Sequence, residues 1–301
     1  MAAKTLGGVI APVVTTFDEA SGELAAEPFR ANLRAHLDAG LSGVLLAGST
    51  GEAALLDEGE RDRIVEWARP VIPVDRWLLV GVGGESTRGT IDRARRAAER
   101  GADAVLVVAP HYYAQAMTNE ALGAHFRRVA DESPVPVLLY NIPKYAHLTL
   151  DPALVRELST HGNIAGLKDS SGDVALLEAY LGVRRDGFTV LTGHGGSLLP
   201  ALRMGAPGGI LAVSLYAPAL SIEVYEQFGR GDLADAEAAQ ARLRTVNAVI
   251  VGALGIAGIK AAMDAVGLAG GPPRPPLLAL PRAERQRVAA LLAAAGAAHA
   301  A

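Results

Sequence analysis

Ile164-Ala165-Gly166-Leu167-Lys168-Asp169-Ser170-Ser171 is a short apolar run that ends by presenting one lysine, with small polar residues directly behind it. The chain holds only four lysines, Lys4, Lys144, Lys168 and Lys260, among 28 basic residues, so nearly all its positive charge is arginine. Arginine keeps its proton in any protein environment, whereas burial can turn lysine into a free amine. A free amine at the mouth of a strand is what Schiff-base chemistry requires. The plain alternative is a strand-end lysine reaching along its own stem to water. Position alone leaves the two readings level.

Similar apolar runs flank this one, at 9–14, 44–47, 77–82, 104–109, 135–140, 189–191 and 209–213. Each places Val, Leu and Ile on consecutive positions, which suits parallel strands buried on both faces. Polar helical patterns fall between them, at 28–39, 57–68, 87–100, 119–131, 152–158 and 173–181. Gly40, Gly101 and Gly182 stand where such helices stop. The units repeat every 20–35 residues or so, roughly the size of one βα unit. Eight of them predict an α/β fold of the (β/α)8 TIM-barrel type over residues 1–230. A doubly wound open sheet is the alternative, because strand count does not show closure. After residue 213 the alternation stops. Helical patterns at 220–228, 233–251, 258–266 and 282–295 follow; the first completes the outer ring, and the rest predict a C-terminal helical extension over 231–301. Gly270-Gly271-Pro272-Pro273-Arg274-Pro275-Pro276 reads as a rigid connector, and 291–301 as a frayed tail.

Composition narrows the function classes. With 301 residues, half of them hydrophobic, and a formal net charge of −4, the chain has a large core and no basic footprint for nucleic acid. It has no cysteine, which removes disulfides and thiolate metal sites and is compatible with a reducing compartment. The start, Met1-Ala2-Ala3-Lys4-Thr5, lacks a signal-peptide pattern, and Gly, Pro or a charge interrupts every apolar run before membrane-spanning length. The seven histidines (36, 111, 125, 147, 161, 194, 299) show no metal-ligand spacing. The expectation is a soluble, cytoplasmic protein that acts on a small molecule, with no metal or other cofactor and neither a nucleic-acid nor a membrane partner.

In a barrel the active residues gather at the C-terminal ends of the strands, so the residues that follow each run carry the chemistry. After the second run comes Gly48-Ser49-Thr50-Gly51-Glu52. Ser49 and Glu52 have the spacing of a capping box, and the same amides and hydroxyls suit a carboxylate at a helix N-terminus. Both readings are kept. After the fourth comes Pro110-His111-Tyr112-Tyr113, which on its own reads as packing. After the fifth comes Tyr140-Asn141-Ile142-Pro143-Lys144-Tyr145. Adjacent parallel strands lie about 5 Å apart, so Tyr140 and Lys168 at matching heights put a phenol acid/base beside an amine nucleophile. After the seventh comes Gly193-His194-Gly195-Gly196-Ser197, which suits either a flexible turn with one imidazole or a phosphate site of the kind barrels place near strands seven and eight. Gly81-Val82-Gly83-Gly84-Glu85-Ser86 lacks the third glycine of a dinucleotide fingerprint, and no Walker loop is present.

These pieces together resemble the dihydrodipicolinate synthase / N-acetylneuraminate lyase family of class I aldolases over nearly the full length. The matching motifs are Gly48-Ser49-Thr50-Gly51-Glu52, Tyr140-Asn141-Ile142-Pro143 and Gly166-Leu167-Lys168-Asp169-Ser170, in that order. The resemblance implies a Schiff base between Lys168 and the ketone of pyruvate or another 2-oxo acid. It makes Tyr140 the proton shuttle and Ser49 the relay residue, with Thr50 and nearby amides holding the substrate carboxylate and Gly48 and Ser170 among the substrate-binding residues. Tyr112 takes the place of the aromatic that the family inserts into a neighbouring subunit's site, which implies a homo-oligomer, dimer or tetramer. Substrate choice falls to Lys144, Tyr145 and His194. Dihydrodipicolinate synthases carry an arginine two residues after the Tyr-Asn-x-Pro proline; here that residue is Tyr145, and the neighbouring Lys144 is no equivalent. Gly255-Ile256-Ala257-Gly258-Ile259-Lys260 and Gly270-Gly271-Pro272 look instead like 4-hydroxy-2-oxoglutarate aldolases. The leading expectation is therefore cleavage of a 4-hydroxy-2-oxo acid to pyruvate and an aldehyde. Dihydrodipicolinate synthesis, or aldol or dehydratase chemistry on 2-keto-3-deoxy sugar acids, are the alternatives. A binding barrel without turnover and a phosphate-binding isomerase are the readings from other classes.

Overall fold

The computed structural model describes residues 4–297 except Arg184; His299 and the other last residues of the expected tail lie outside the described residues. Eight parallel strands close into one barrel in sequence order, which removes the open-sheet alternative. The strands are β1 (Gly8–Pro12), β2 (Gly43–Leu46), β3 (Trp77–Gly81), β4 (Ala104–Val108), β5 (Val137–Asn141), β6 (Ile164–Asp169), β7 (Thr189–Thr192) and β8 (Gly208–Ile210). Between and after them run the helices α1 (Ala26–Asp38), α2 (Glu58–Ala68), α3 (Thr87–Glu99), α4 (Asn119–Glu132), α5 (Pro143–Ala146), α6 (Pro152–Leu158), α7 (Val174–Leu181), α8 (Leu198–Arg203) and α9 (Pro218–Arg230). The C-terminal part is α10 (Leu233–Val246), a π-helical segment Asn247–Leu254, α11 (Gly255–Ala265) and α12 (Arg282–Ala294).

The consecutive apolar runs are explained by two cores. Ile10, Leu45, Leu79, Leu106, Leu138, Leu191 and Ile210 point into the barrel, while their neighbours Ala11, Leu46, Val80, Val107, Leu139 and Val190 face the helices. A side chain on one side of the strand is therefore as buried as the next on the other. The outer helices start where the sequence offers a side-chain acceptor: Ser86, Thr118, Asp151 and Asp173 each accept a hydrogen bond from the first turn they precede.

Four expectations need correction. The capping box belongs to Asp57 and Glu60 at the start of α2, not to Ser49 and Glu52. Glu52 instead sits at a left-handed φ of 57° with its carboxylate buried. The first and eighth strands are shorter than the apolar runs at 9–14 and 209–213, and after β8 the run turns into a 3-10 helix at Ala212–Leu215. β6 runs to Asp169, so Lys168 lies inside the strand. Finally, α8 was not foreseen, because its six residues hold Pro200 and offer no periodicity to read.

The helical run Leu233–Ala265 is long and apolar enough, by length and composition, to cross a membrane. Half of its most apolar window is buried inside the protein. Outside, arginines face carboxylates across neighbouring helices, as in Arg93–Glu58, Arg96–Asp62 and Arg100–Glu66 between α3 and α2. Such exposed pairs are each worth at most about 1 kcal/mol.

Candidate active site

Strand register brings the key pair together. Tyr140 of β5 and Lys168 of β6 are directly opposed Cα partners, so their side chains leave the sheet on the same side at the same height. Lys168 Nζ donates to Tyr140 Oη at 3.3 Å and lies 4.3 Å from the ring centroid. Both side chains are almost fully buried, Lys168 at 4% exposure and Tyr140 at 5%. Among the described residues no carboxylate approaches Lys168 Nζ within ion-pair distance.

What fixes this pair is a second layer of polar contacts at the next register position. Asn141 Nδ2 donates to Asp169 Oδ1 at 2.7 Å, and Asn141 Oδ1 accepts the Leu150 amide at 3.0 Å. Ser171 Oγ donates to Asp169 Oδ2 at 2.8 Å. Burial pushes the Asp169 carboxyl above the usual carboxylate range, opposed by the bonds from Asn141 and Ser171. The carboxylate is thus turned toward Asn141 and the loop, which keeps it off the amine on the adjacent residue.

Lys168 opens into a cavity of about 280 Å3 at the C-terminal end of the barrel. Ser49, Thr50, Tyr140, Lys168, Ser170, Lys144, Tyr145 and His194 all line it, so eight of the ten residues singled out from the sequence converge. The other two stand apart. Gly48 is buried behind the Ser49–Thr50 turn, and its carbonyl accepts the Gly51 and Ala53 amides. Tyr112 is 76% exposed on the loop after β4, where its amide donates to Glu85 Oε2 at 2.8 Å and its ring meets Tyr113 edge-on. Within one chain it does not reach the cavity.

Several lining residues were not singled out from the sequence as site residues. Gly193 is one: a Cβ there would overlap Ser170 Oγ and lie 2.7 Å from Lys168 Cε, so only glycine leaves room for the lysine stem. Asn247, Val251, Gly252, Gly255, Ile256 and Ile259 form a wall contributed by the C-terminal helices. Asn247 Nδ2 donates to His194 Nε2 at 3.3 Å, which leaves His194 Nδ1 to donate to Ser197 Oγ at 2.9 Å. Burial holds the His194 imidazole below its usual range, against the pull of Asp169. Lys144 Nζ crosses the rim to the Gly252 carbonyl at 3.0 Å and lies 5.6 Å from the Tyr145 ring centroid. Burial also raises the Tyr145 phenol, with Tyr140 adding to the shift.

The glycine turn after β7 is occupied by protein contacts. Gln240 Nε2 donates to the Gly195 carbonyl at 3.0 Å, and Gln240 Oε1 accepts the Leu199 amide at 2.7 Å. The Ser197 amide goes to the His194 carbonyl at 3.0 Å. The His194, Ser197 and Leu199 amides of this turn are thus bound within the chain. Among the described residues there is no group of three or more His, Asp or Glu side chains placed to hold a metal ion.

Comparison with known proteins agrees with this geometry. The chain is 37% identical over 291 residues to an uncharacterised DapA-like lyase of Halobacterium salinarum, covering 97% of this chain and 94% of the relative. It is 33% identical over 271 residues to a 4-hydroxy-tetrahydrodipicolinate synthase of Exiguobacterium, covering 90% and 92%. Among solved structures it superposes with a TM-score of 0.91, at 30% identity, on YagE of E. coli K12, a prophage protein of the dihydrodipicolinic acid synthase family in complex with pyruvate; the match covers 97% of this chain and 99% of that one. The family model for the dihydrodipicolinate synthetase family matches residues 5–295. The chain therefore belongs to that family, whose members are lyases and synthases that form a Schiff base with pyruvate.

Proposed function

We propose that this protein is a class I aldolase that forms its Schiff base through Lys168 and cleaves a 4-hydroxy-2-oxo acid to pyruvate and an aldehyde, reversibly. The observation that carries the reading is one buried amine without a counter-charge, 3.3 Å from a buried phenol, at the floor of a cavity lined by Ser49 and Thr50. The amine adds to C2 of the 2-oxo acid. Tyr140 passes a proton to the departing oxygen, water leaves, and an iminium remains. The C4 hydroxyl then gives its proton to the Tyr140 phenolate left by that step, directly or by way of the Ser49 hydroxyl. The C3–C4 bond breaks, and its electron pair moves into the iminium. An aldehyde and the enamine of pyruvate result. Protonation at C3 and hydrolysis of the iminium by water release pyruvate and restore the amine. Thr50 and adjacent amides hold the carboxylate, Ser170 borders the reacting carbons, and Lys144, Tyr145 and His194 meet the distal part of the substrate.

A second reading, condensation of pyruvate with aspartate semialdehyde, is favoured by the name of the Exiguobacterium relative. Against it stands Tyr145 where a synthase carries arginine, with the nearby Lys144 ammonium already bound to Gly252. The exposed Tyr112–Tyr113 pair supports assembly with further copies of the chain, whose cavities Tyr112 would then complete.

The test is reductive trapping. Incubation with pyruvate and borohydride, followed by peptide mapping, is expected to place a stable adduct on Lys168 and none on the Lys168→Ala protein. No adduct at saturating pyruvate overturns the mechanism. Pyruvate release from 4-hydroxy-2-oxo acids, set against pyruvate consumption with aspartate semialdehyde, separates the two readings.

A further inference from the structure

A second buried lysine lies beneath the opposite wall of the cavity. Lys260, 1% exposed on α11, forms an ion pair of 2.6 Å with Glu52, whose side chain is wholly buried. Its remaining donors go to the carbonyls of Thr15 at 2.9 Å and Pro272 at 2.7 Å. The other Glu52 oxygen accepts the Arg274 amide at 2.7 Å. The Arg274 guanidinium in turn grips both oxygens of Glu60 and the Leu55 carbonyl. Thr15 Oγ1 adds a bond of 2.7 Å to the Gly51 carbonyl. None of these groups faces the reacting atoms, and a catalytic account of the site leaves them unused.

Their placement gives them a use. Glu52 closes the turn that presents Ser49 and Thr50, and Lys260 directly follows Ile259 of the apolar wall. The turn is a left-handed one at both ends, Ala47 at φ 47° and Glu52 at φ 57°, conformations that non-glycine residues hold only when their surroundings fix them. We infer that the Glu52–Lys260 ion pair is a positioning device, which locks the Ser49–Thr50 turn against the Ile256–Ile259 wall and so sets the width of the cavity where the substrate carboxylate binds. This rests on the Schiff-base reading for the identity of the substrate end. A buried ion pair is weak evidence for stability as such, because apolar replacements of both partners are often neutral. A fixed geometry is what the pair supplies and an apolar pair would not.

The experiment compares wild type with Lys260→Met, Glu52→Gln, the double variant Glu52→Gln/Lys260→Met, and Thr15→Val, which leaves no buried charge unpaired. Two readouts are taken: the pyruvate concentration that half-saturates borohydride trapping at Lys168, and amide hydrogen exchange of the 47–56 segment. The double variant is expected to regain most of the thermal stability that either single variant loses. Its half-saturating pyruvate is still expected to rise about tenfold or more, with full labelling at saturation, and its 47–56 amides are expected to exchange faster than those of the barrel strands. Thr15→Val is expected to show a smaller shift, about threefold. If the double variant regains wild-type pyruvate affinity and exchange along with stability, the pair is only structural and the inference falls. If wild type traps no pyruvate, the Schiff-base reading fails separately; unchanged exchange at 47–56 in the variants would then overturn the positioning role by itself.

Discussion

Lys168 and Lys260 are both buried, at 4% and 1% exposure, yet their surroundings are opposite. Lys260 has a carboxylate at 2.6 Å and two backbone carbonyls, so every group bonded to its nitrogen favours positive charge. Burial still pulls its ammonium below the usual lysine range, and Glu52 opposes that pull. Lys168 has one phenol, at 3.3 Å, and open cavity beyond it. One lysine is held in place by a carboxylate and two carbonyls; the other meets a single phenol and faces open cavity. Burial by itself therefore does not mark a nucleophile. What separates the two is whether the protein has supplied the counter-charge.

That contrast can be broken most directly by removing each amine in turn. Lys168→Met is expected to abolish turnover and trapping while leaving thermal unfolding close to wild type, since no buried charge is stranded and Tyr140 Oη still faces the cavity; a large loss of stability would show that the amine is structural. The next effect in size belongs to the phenol. Tyr140→Phe is expected to retain the trapped adduct but lose roughly 10²- to 10⁴-fold in kcat, the range for a displaced general acid/base; unchanged turnover would remove Tyr140 from the proton path. Lys260→Met reverses the Lys168 pattern, with a loss of about 3–5 kcal/mol in unfolding free energy from the stranded Glu52 carboxylate. Denaturant titration reads it, and a loss below about 1 kcal/mol would mean that the pair is far weaker than its geometry suggests.

His36 sharpens the comparison from a third side, because it is a buried base with neither counter-charge nor, among the described residues, a hydrogen-bond partner on either ring nitrogen. Burial lowers its pKa from 6.5 to about 4. The unfolded chain therefore takes up this proton first as pH falls. Stability is whole above pH 6.5, declines as pH drops toward 4, and levels off below it, by up to about 3 kcal/mol for this group. His125, lowered to about 4 by the same cause, adds to the slope. His36→Leu is expected to flatten part of that acid slope in unfolding titrations between pH 7 and pH 4. An unaltered slope would show that the imidazole finds a proton acceptor in the folded state.

The parts of the site that could be read from the sequence are those whose position follows from local pattern. Tyr140 and Lys168 each end an apolar run, and strand alternation plus parallel register did the rest. Ser49 and Thr50 follow the second run in the same way. Glu52 was misassigned because its partner is Lys260, 208 positions away, and an S-x-x-E spacing looks the same whether the carboxylate caps a helix or enters the core. The correct box, Asp57 with Glu60, stood at the head of the helical pattern at 57–68 and could have been preferred on that ground. Asn247 and Gly252 left no trace, because an apolar helical pattern does not say which of its residues will face a cavity built by distant strands. Gly193 was seen only as part of a flexible turn; its need follows from the width of the Lys168 stem, which only packing reveals.

The π-helical segment Asn247–Leu254 has one more consequence. Its wider turn offers Asn247, Val251 and Gly252 to the cavity mouth, while Tyr140, Lys168 and Ser49 stand on β5, β6 and the turn after β2. Under the proposed function, the reacting side chains at 49–50, 140 and 168 and the wall at 247–252 that meets the distal end of the substrate would thus be encoded in separate stretches. If the Schiff-base reading holds, substitutions at Val251 and Gly252, which line the mouth, are expected to change which aldehyde is accepted while leaving borohydride trapping at Lys168 intact.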